Sequence, residues 1–303
     1  MRKIAIVILH YLGKKYTKLC LESIDRLATN SLELNVIVVN NNPKEDLTDL
    51  KKKFSQFTFL ETGKNLGYVG GNNFGIKRAL RDGADCILIL NNDTTVDKDL
   101  IIELVKAGED KKVGVVGSKI YFAKGFEYHK ERYKPADLGK VIWYAGGIID
   151  WQNVFASHRG VNEVDQGQYD QEVITSFVTG CAMFVKRAVF EKIGLFDERY
   201  YLYLEDLEFC QRAMGTGYKI IFAPKALVWH YNAVSSKVGG SLQDYFITRN
   251  RLLFGLNYAP LKTRFNLIQE SIRLTLSGRP WQKKAIRDYF LKKFGKGSWY
   301  DKG

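Results

Sequence analysis

Apolar residues fall in short, unbroken runs through the first half of the chain, and an amphipathic or polar stretch follows each run. Ile4–Leu9 and Val36–Val39 lack the alternation of a half-buried strand and read as strands covered on both faces. Phe57–Leu60, Cys86–Leu90 and Val113–Val116 read as further strands. Between them, Tyr16, Leu19, Cys20, Ile24 and Leu27 share one helical stripe, and Gly71–Leu80 and Asp97–Ala107 read as helices. Strands alternating with helices predict an α/β fold with a mostly parallel central sheet flanked by helices.

The rhythm is lost over Tyr121–Tyr169, where two short strands are expected around Trp143 and Trp151. It resumes with a strand from Val173 to Gly180, another over Cys181–Val185, and helices over Arg187–Ile193 and Leu204–Met214. Strands are then expected at Lys219–Phe222 and Ala226–Trp229. From Ser241 the pattern is helical, broken near Pro260 and at Gly278–Pro280.

Composition adds limits. The 303 residues, 46% hydrophobic and 26% charged, suit one large or two small globular domains. Four scattered cysteines show no ligand spacing and read as reduced thiols of a cytoplasmic protein. The first apolar run is too short for a signal-peptide core, and no stretch reaches the roughly 18 apolar residues of a membrane span. The net charge of +13 is uneven. From Arg249 onward thirteen Lys and Arg face only Glu270, Asp288 and Asp301, so the tail carries most of the excess. Such a tail suits an acidic surface.

In an open α/β sheet, ligands bind at the carboxyl ends of the strands. Four polar clusters follow the first four strands: His10-Tyr11, Asn40-Asn41-Asn42, Gly63-Lys64-Asn65-Leu66-Gly67, and Asn91-Asn92-Asp93. Turn chemistry explains one or two of these, but four on one edge point to a site. The run Gly67–Asn73 is neither a dinucleotide fingerprint nor a P-loop. Its glycines permit close approach of a ligand or satisfy a positive-φ turn. Asp93 and Asn91 offer hard oxygens for a divalent cation. His230, closing a strand on the same edge, is either a packed residue or a further ligand. Glu205 and Asp206, at a helix start behind the aromatic run FDERYYLYL, are either acids favoured by the helix dipole or a desolvated general base.

Taken in order, VVNNN, NLGYVGGNNFGI, LILNNDTTVD, TGCAMFVKRAVFEKIGLFDERYYLYLEDLEFCQRA and GYKIIFAPKALVWH resemble glycosyltransferase family 2, and within it the bacterial rhamnosyltransferase-like branch. The resemblance covers about residues 3–255. It implies a GT-A fold over 1–255, with a nucleotide-binding half to about 118 and an acceptor-binding half from about 119, and leaves 256–303 as a helical tail. It also implies an inverting, metal-dependent transfer from a nucleotide-diphosphate sugar, dTDP- or UDP-linked, with dTDP-rhamnose among the candidates. The acceptor would be a hydroxyl of a glycan or lipid-linked oligosaccharide in cell-surface polysaccharide synthesis. On this resemblance His10, Tyr11, Asn40, Asn42, Asn65, Gly67, Asn72 and Asn92 line the nucleotide. Asn91, Asp93 and His230 hold Mn²⁺ or Mg²⁺, and Asp206, paired with Glu205, is the base. Two departures stand out: Asn40 replaces an Asp, and the metal motif keeps one carboxylate.

Two other classes compete. A sugar nucleotidyltransferase shares the α/β sheet and carboxylate-bound metal, but HYLGKKY lacks its Gly-rich basic signature. A degenerate, non-catalytic glycan- or partner-binding protein would suit the sparse metal motif. Nucleic acid is not an expected partner, because the basic tail carries no recognised motif. In that tail Trp281, Ala285 and Tyr289, flanked by Ile286, Phe290 and Phe294, form a stripe among lysines and arginines. The stripe is expected either to lie on an anionic membrane surface, placing the protein peripherally on the inner face of the plasma membrane, or to pack on the catalytic domain or a second subunit.

Overall fold

The computed structural model describes residues 1–29, 32–232 and 240–299. Its strands are β1 (Arg2–His10), β2 (Leu32–Asn40), β3 (Thr58–Glu61), β4 (Cys86–Asn91), β5 (Thr94–Val96), β6 (Val113–Phe122), β7 (Ile142–Tyr144), β8 (Gly147–Asp150), β9 (Phe155–His158), β10 (Val173–Ile174), β11 (Ala182–Lys186) and β12 (Lys219–His230). The helices are α1 (Lys14–Ile24), α2 (Thr48–Lys53), α3 (Gly67–Arg81), α4 (Leu100–Ala107), α5 (Arg187–Ile193), α6 (Glu205–Gly215), α7 (Ser241–Tyr258), α8 (Leu261–Ser277) and α9 (Pro280–Phe290).

The central sheet runs β10-β12-β6-β11-β4-β1-β2-β3, with β5 on β12 and β7 on β6. β3, β2, β1 and β4 are parallel, as are β6 and β12, while β11 runs antiparallel between β4 and β6. Ile4–Ile8 and Ile87–Leu90 are almost wholly buried, as their unbroken apolar character requires. No helix among the described residues is long and apolar enough to cross a membrane, and all four cysteines are free and buried.

Several elements differ from the sequence reading. α3 opens at Gly67, four residues before the expected start, and α4 opens at Leu100 rather than Asp97. The expected strand from Val173 to Gly180 shrinks to Val173–Ile174, and Trp151 lies in the turn after β8. The two strands expected on either side of Pro224 are one, β12. It pairs with β6 both before and after a register shift between Ala223 and Leu227, where the missing N–H of proline removes no ladder bond. β6 continues through Ser118 and Lys119 because the buried Lys119 amine is neutralised by Asp165 at 2.8 Å and Asp170 at 2.6 Å.

Most of the stripe on α9 faces the protein, although Phe290 is 55% exposed. Ala285 and Ile286 are buried, and Trp281 meets Tyr245 and Trp299. α9 therefore packs on α7, and α7 in turn contributes Leu252, Leu253 and Phe254 to the main core. The boundary expected at 255 falls inside α7.

Candidate active site at the carboxyl edge of the sheet

The strand register gathers the sequence-selected residues. His10 pairs with Asn40, and Leu9 with Asn91, so the ends of β2, β1 and β4 lie side by side. On this edge the asparagines hold the loops together. Asn40 accepts from Asn42 N at 3.1 Å and donates to Glu45 O at 3.2 Å. Asn42 donates to Tyr11 O at 2.9 Å. Asn92 donates to Leu12 O and to Thr17 Oγ1. The exposed Asn65 accepts from Gly67 N at 2.8 Å. Asn41, which the sequence placed in this cluster without a role, donates to Asn65 and Gly67 O and accepts from Leu66 N. His10 is buried between Thr17 Oγ1 at 2.8 Å and Glu45 at 3.1 Å; burial lowers its pKa against the pull of Glu45.

The glycines of α3 have a packing reason. A Cβ on Gly71 would strike Leu9 Cδ1 at 2.3 Å, and one on Gly75 would strike Val7 Cγ1 at 2.5 Å. Gly67 has φ +75° and lies against the Tyr201 ring. Gly71 and Gly75, four residues apart, thus form a smooth face pressed onto the sheet, whereas Gly67 supplies the positive-φ turn at the helix start. Asn72, wholly buried on this helix, donates to Tyr68 O, but its Oδ1 has no hydrogen-bond partner.

Beyond β4 the chain turns through Asn91-Asn92-Asp93 into β5. β5 lies against the end of β12, with His230 opposite Thr94. Asp93 Oδ1 and His230 Nε2 are 3.2 Å apart, both residues buried. Neither ring nitrogen of His230 is engaged in a hydrogen bond. Trp143, from the segment without clear rhythm, sits edge-on between His158 and His230, with ring centroids 4.4 and 4.6 Å away. His158 Nδ1 donates to Trp143 O at 3.0 Å, and burial lowers its pKa to about 4, so the ring is neutral. Among the described residues no three His, Cys, Asp or Glu side chains gather as a ready metal cage. A buried carboxylate 3.2 Å from an imidazole whose ring nitrogens make no hydrogen bond nevertheless fits a divalent cation.

Glu205 and Asp206 open α6. Asp206 accepts from Gly180 N at 3.0 Å and Leu207 N at 2.9 Å. Gly180 precedes Cys181, whose carbonyl accepts from Asn91 N, so Asp206 is tied to the end of β4. Burial raises the pKa of both acids; Glu205, further raised by the charge of Asp206, is pushed well above the ordinary range. Glu205 Oε2 has no hydrogen-bond partner, whereas both Asp206 oxygens accept from N–H groups. The two N–H donors oppose the rise at Asp206, and nothing comparable meets Glu205 Oε2, so the surroundings favour the charged form more at Asp206 than at Glu205.

The model of glycosyl transferase family 2 matches residues 5–194. The chain is a family 2 glycosyltransferase. The transferase is 24% identical to the low-salt glycan biosynthesis hexosyltransferase Agl10 of Haloferax volcanii, over 73% of this chain and 75% of that protein. It is 23% identical to the dTDP-rhamnosyl transferase RfbF of Shigella flexneri, over 80% and 78%. It is also 23% identical to an N-acetylglucosaminyl-diphospho-decaprenol L-rhamnosyltransferase of Mycobacterium tuberculosis, over 61% and 62%. In fold it is similar to the mannosyltransferase PcManGT of Pyrobaculum calidifontis in complex with GDP-Man and Mn²⁺ (TM-score 0.54, 14% identity, 95% of this chain and 74% of that one). GalNAc-T7 with UDP, GalNAc and Mn²⁺ is similar as well (TM-score 0.60, 15% identity, 92% and 58%). The transferase thus has the GT-A fold.

The loop that carries the acids of the transferase into place was not singled out from the sequence. Tyr201, Tyr203 and Leu204 have φ of 66°, 69° and 67°, a left-handed run without glycine directly before Glu205. Asn250 on α7 holds it, its amide donating to the carbonyls of Tyr200, Leu202 and Tyr203 at 2.8–2.9 Å. The buried Arg249 beside it donates to Arg199 O, Tyr200 O and Gly295 O. Arg-Asn lies within the amphipathic pattern of a helix, and only its two strongly polar residues on a buried face could have signalled this role.

Proposed function

We propose that the glycosyltransferase is inverting and metal-dependent, and moves a sugar from a dTDP- or UDP-linked donor, dTDP-rhamnose foremost, to a hydroxyl of a glycan or lipid-linked oligosaccharide. The observation that carries this reading is Asp206, a desolvated carboxylate anchored through Gly180 to the strand edge that ends in Asn91 and Asp93. The names of the rhamnosyltransferase relatives support the donor class, and the Mn²⁺ of the two similar structures supports the cation.

Asp206 takes the proton of the acceptor hydroxyl as its oxygen bonds to the anomeric carbon. The bond from that carbon to the diphosphate oxygen breaks with its electron pair on the diphosphate, and the configuration inverts. Asp93 and His230, with Asn91, would hold a divalent cation that neutralises the charge of the leaving diphosphate. Asn72 Oδ1 offers an unengaged acceptor within α3, and the amides of Asn40, Asn42, Asn65 and Asn92 keep the loops around Tyr11 and Gly67 in the shape that meets the nucleotide.

Calorimetric titration of UDP and dTDP, each with Mn²⁺ and then with EDTA, tests the reading. Metal-dependent binding of one nucleotide is expected. Asp206→Asn should bind that nucleotide unchanged while transfer falls by roughly 10²–10⁴-fold. Absence of binding under every condition would favour the non-catalytic alternative, and wild-type turnover by the Asn variant would remove Asp206 as the base.

A further inference from the structure

α8 is amphipathic on the wrong side. Its protein-facing side carries Thr263, Leu267 and Ser271, all buried, with Leu274 packed against the core. A surface helix of this kind should turn a polar face outward. Instead Leu261, Phe265, Ile272 and Leu276 are 81, 63, 59 and 76% exposed. At about 100° per residue these four, together with the half-buried Ile268, fall within an arc of about 80°. That arc lies opposite the buried side. The helix therefore presents a continuous apolar stripe about 22 Å long to the outside, at 1.5 Å per residue.

Charge decides what would cover it. Lys262 and Arg273 lie on one flank of the stripe by the same helical arithmetic, and Arg264 lies on the other. Across residues 261–293 nine Lys and Arg stand against two acids, Glu270 and Asp288. Asp288 is buried and Glu270 is paired with Arg251. A second copy of the chain would bring the same positive field to meet its own, which opposes self-association through this face. An anionic lipid surface meets both the charge and the apolar stripe, with long basic side chains reaching to head groups while Leu, Phe and Ile enter the acyl boundary.

We propose that the exposed face of α8, and not the stripe on α9, docks the protein on an anionic membrane. This goes beyond the transfer reaction and does not depend on its donor, metal or base. The full chain is tested by co-sedimentation with vesicles of equimolar phosphatidylglycerol and phosphatidylcholine, and with vesicles of phosphatidylcholine alone. Partition onto the anionic vesicles is expected, weakening with added salt. The double variant Phe265→Ser/Leu276→Ser should lose about tenfold or more in partition, whereas Ile174→Ser, which changes an equally exposed apolar residue on β10, should not. Thermal melts of both variants should match the wild type, since every substituted side chain is exposed. Equal pelleting of the wild type and the double variant would overturn the proposal. So would a dimer, seen by analytical ultracentrifugation without lipid, that the double variant abolishes.

Discussion

At the scale of single residues, the proposed chemistry rests on the different surroundings of two adjacent acids. Glu205 lacks a partner for one oxygen, while Asp206 accepts from two backbone N–H groups, so the environments separate neighbours of similar intrinsic acidity. Glu205→Gln mimics the protonated acid and should keep transfer within about tenfold of wild type. The rate should fall in acid through an apparent pKa above the usual carboxylate range, read from a pH–rate profile. The stability sign follows from the same shifts. Both acids bind protons more tightly in the folded than in the unfolded chain, so their contribution is most favourable in acid. It declines as pH rises through the raised folded values, which chemical denaturation at a series of pH values would follow. Asp206, Asp93 and His230 could be picked out as candidates in the sequence because each sits just past a strand or at a helix start. Asn41 and Trp143 could not. Asn41 looks like any turn residue until its amide is seen tying two loops, and Trp143 lies where no periodicity fixes which way it faces.

At the scale of elements, α3 and α7 place the site. α3 reaches its position because Gly71 and Gly75 let its backbone approach β1 and β2. Gly75→Ala, which sets a methyl against Val7 and Val39, should cost about 1–3 kcal/mol in a thermal or urea melt through overpacking. α7 acts on the acids through the loop before them. Asn250→Ala leaves three carbonyls without their shared donor and should lower kcat by about ten- to a hundredfold. The KM for the nucleotide sugar should change little, because no nucleotide-edge residue is touched. The parallel strands were readable because burial on both faces demands uninterrupted apolar runs. The second half of β6 was not, because Ser118 and Lys119 break the run, and their tolerance depends on Asp165 and Asp170 nearly fifty residues away. The short α2 and β5 were missed for want of enough residues to show a period.

At the scale of the whole molecule, the C-terminal helices are part of the catalytic body and not an appendage. Asp288 on α9 accepts from Tyr245 on α7, and Gly295 O accepts from the same Arg249 that binds the Arg199–Tyr200 backbone. Deleting residues 280–303 uncovers Tyr245 and Phe246 and leaves a buried guanidinium short of an acceptor. It should therefore lower the melting temperature and abolish transfer together. The net positive charge of this region was plain from the sequence, but the α9 stripe stayed open between a membrane and the protein body and the α8 stripe was not seen, because spacing along one helix says nothing about which neighbour it will meet.

The left-handed stretch from Tyr201 to Leu204 carries a consequence for how the protein fails. Each of its three non-glycine residues in that conformation stores ~1 kcal/mol or more, offset by the grip of Asn250 and Arg249, the Val69 N–H on Tyr201 O and the Tyr201–Phe246 stack. When stress loosens that grip, the loop relaxes toward ordinary backbone while the apolar strands of the sheet still hold. With the acids in their proposed role, the loop works as a fuse: the transferase is expected to fall silent as a catalyst while still folded, and to recover on return to mild conditions by re-seating one loop.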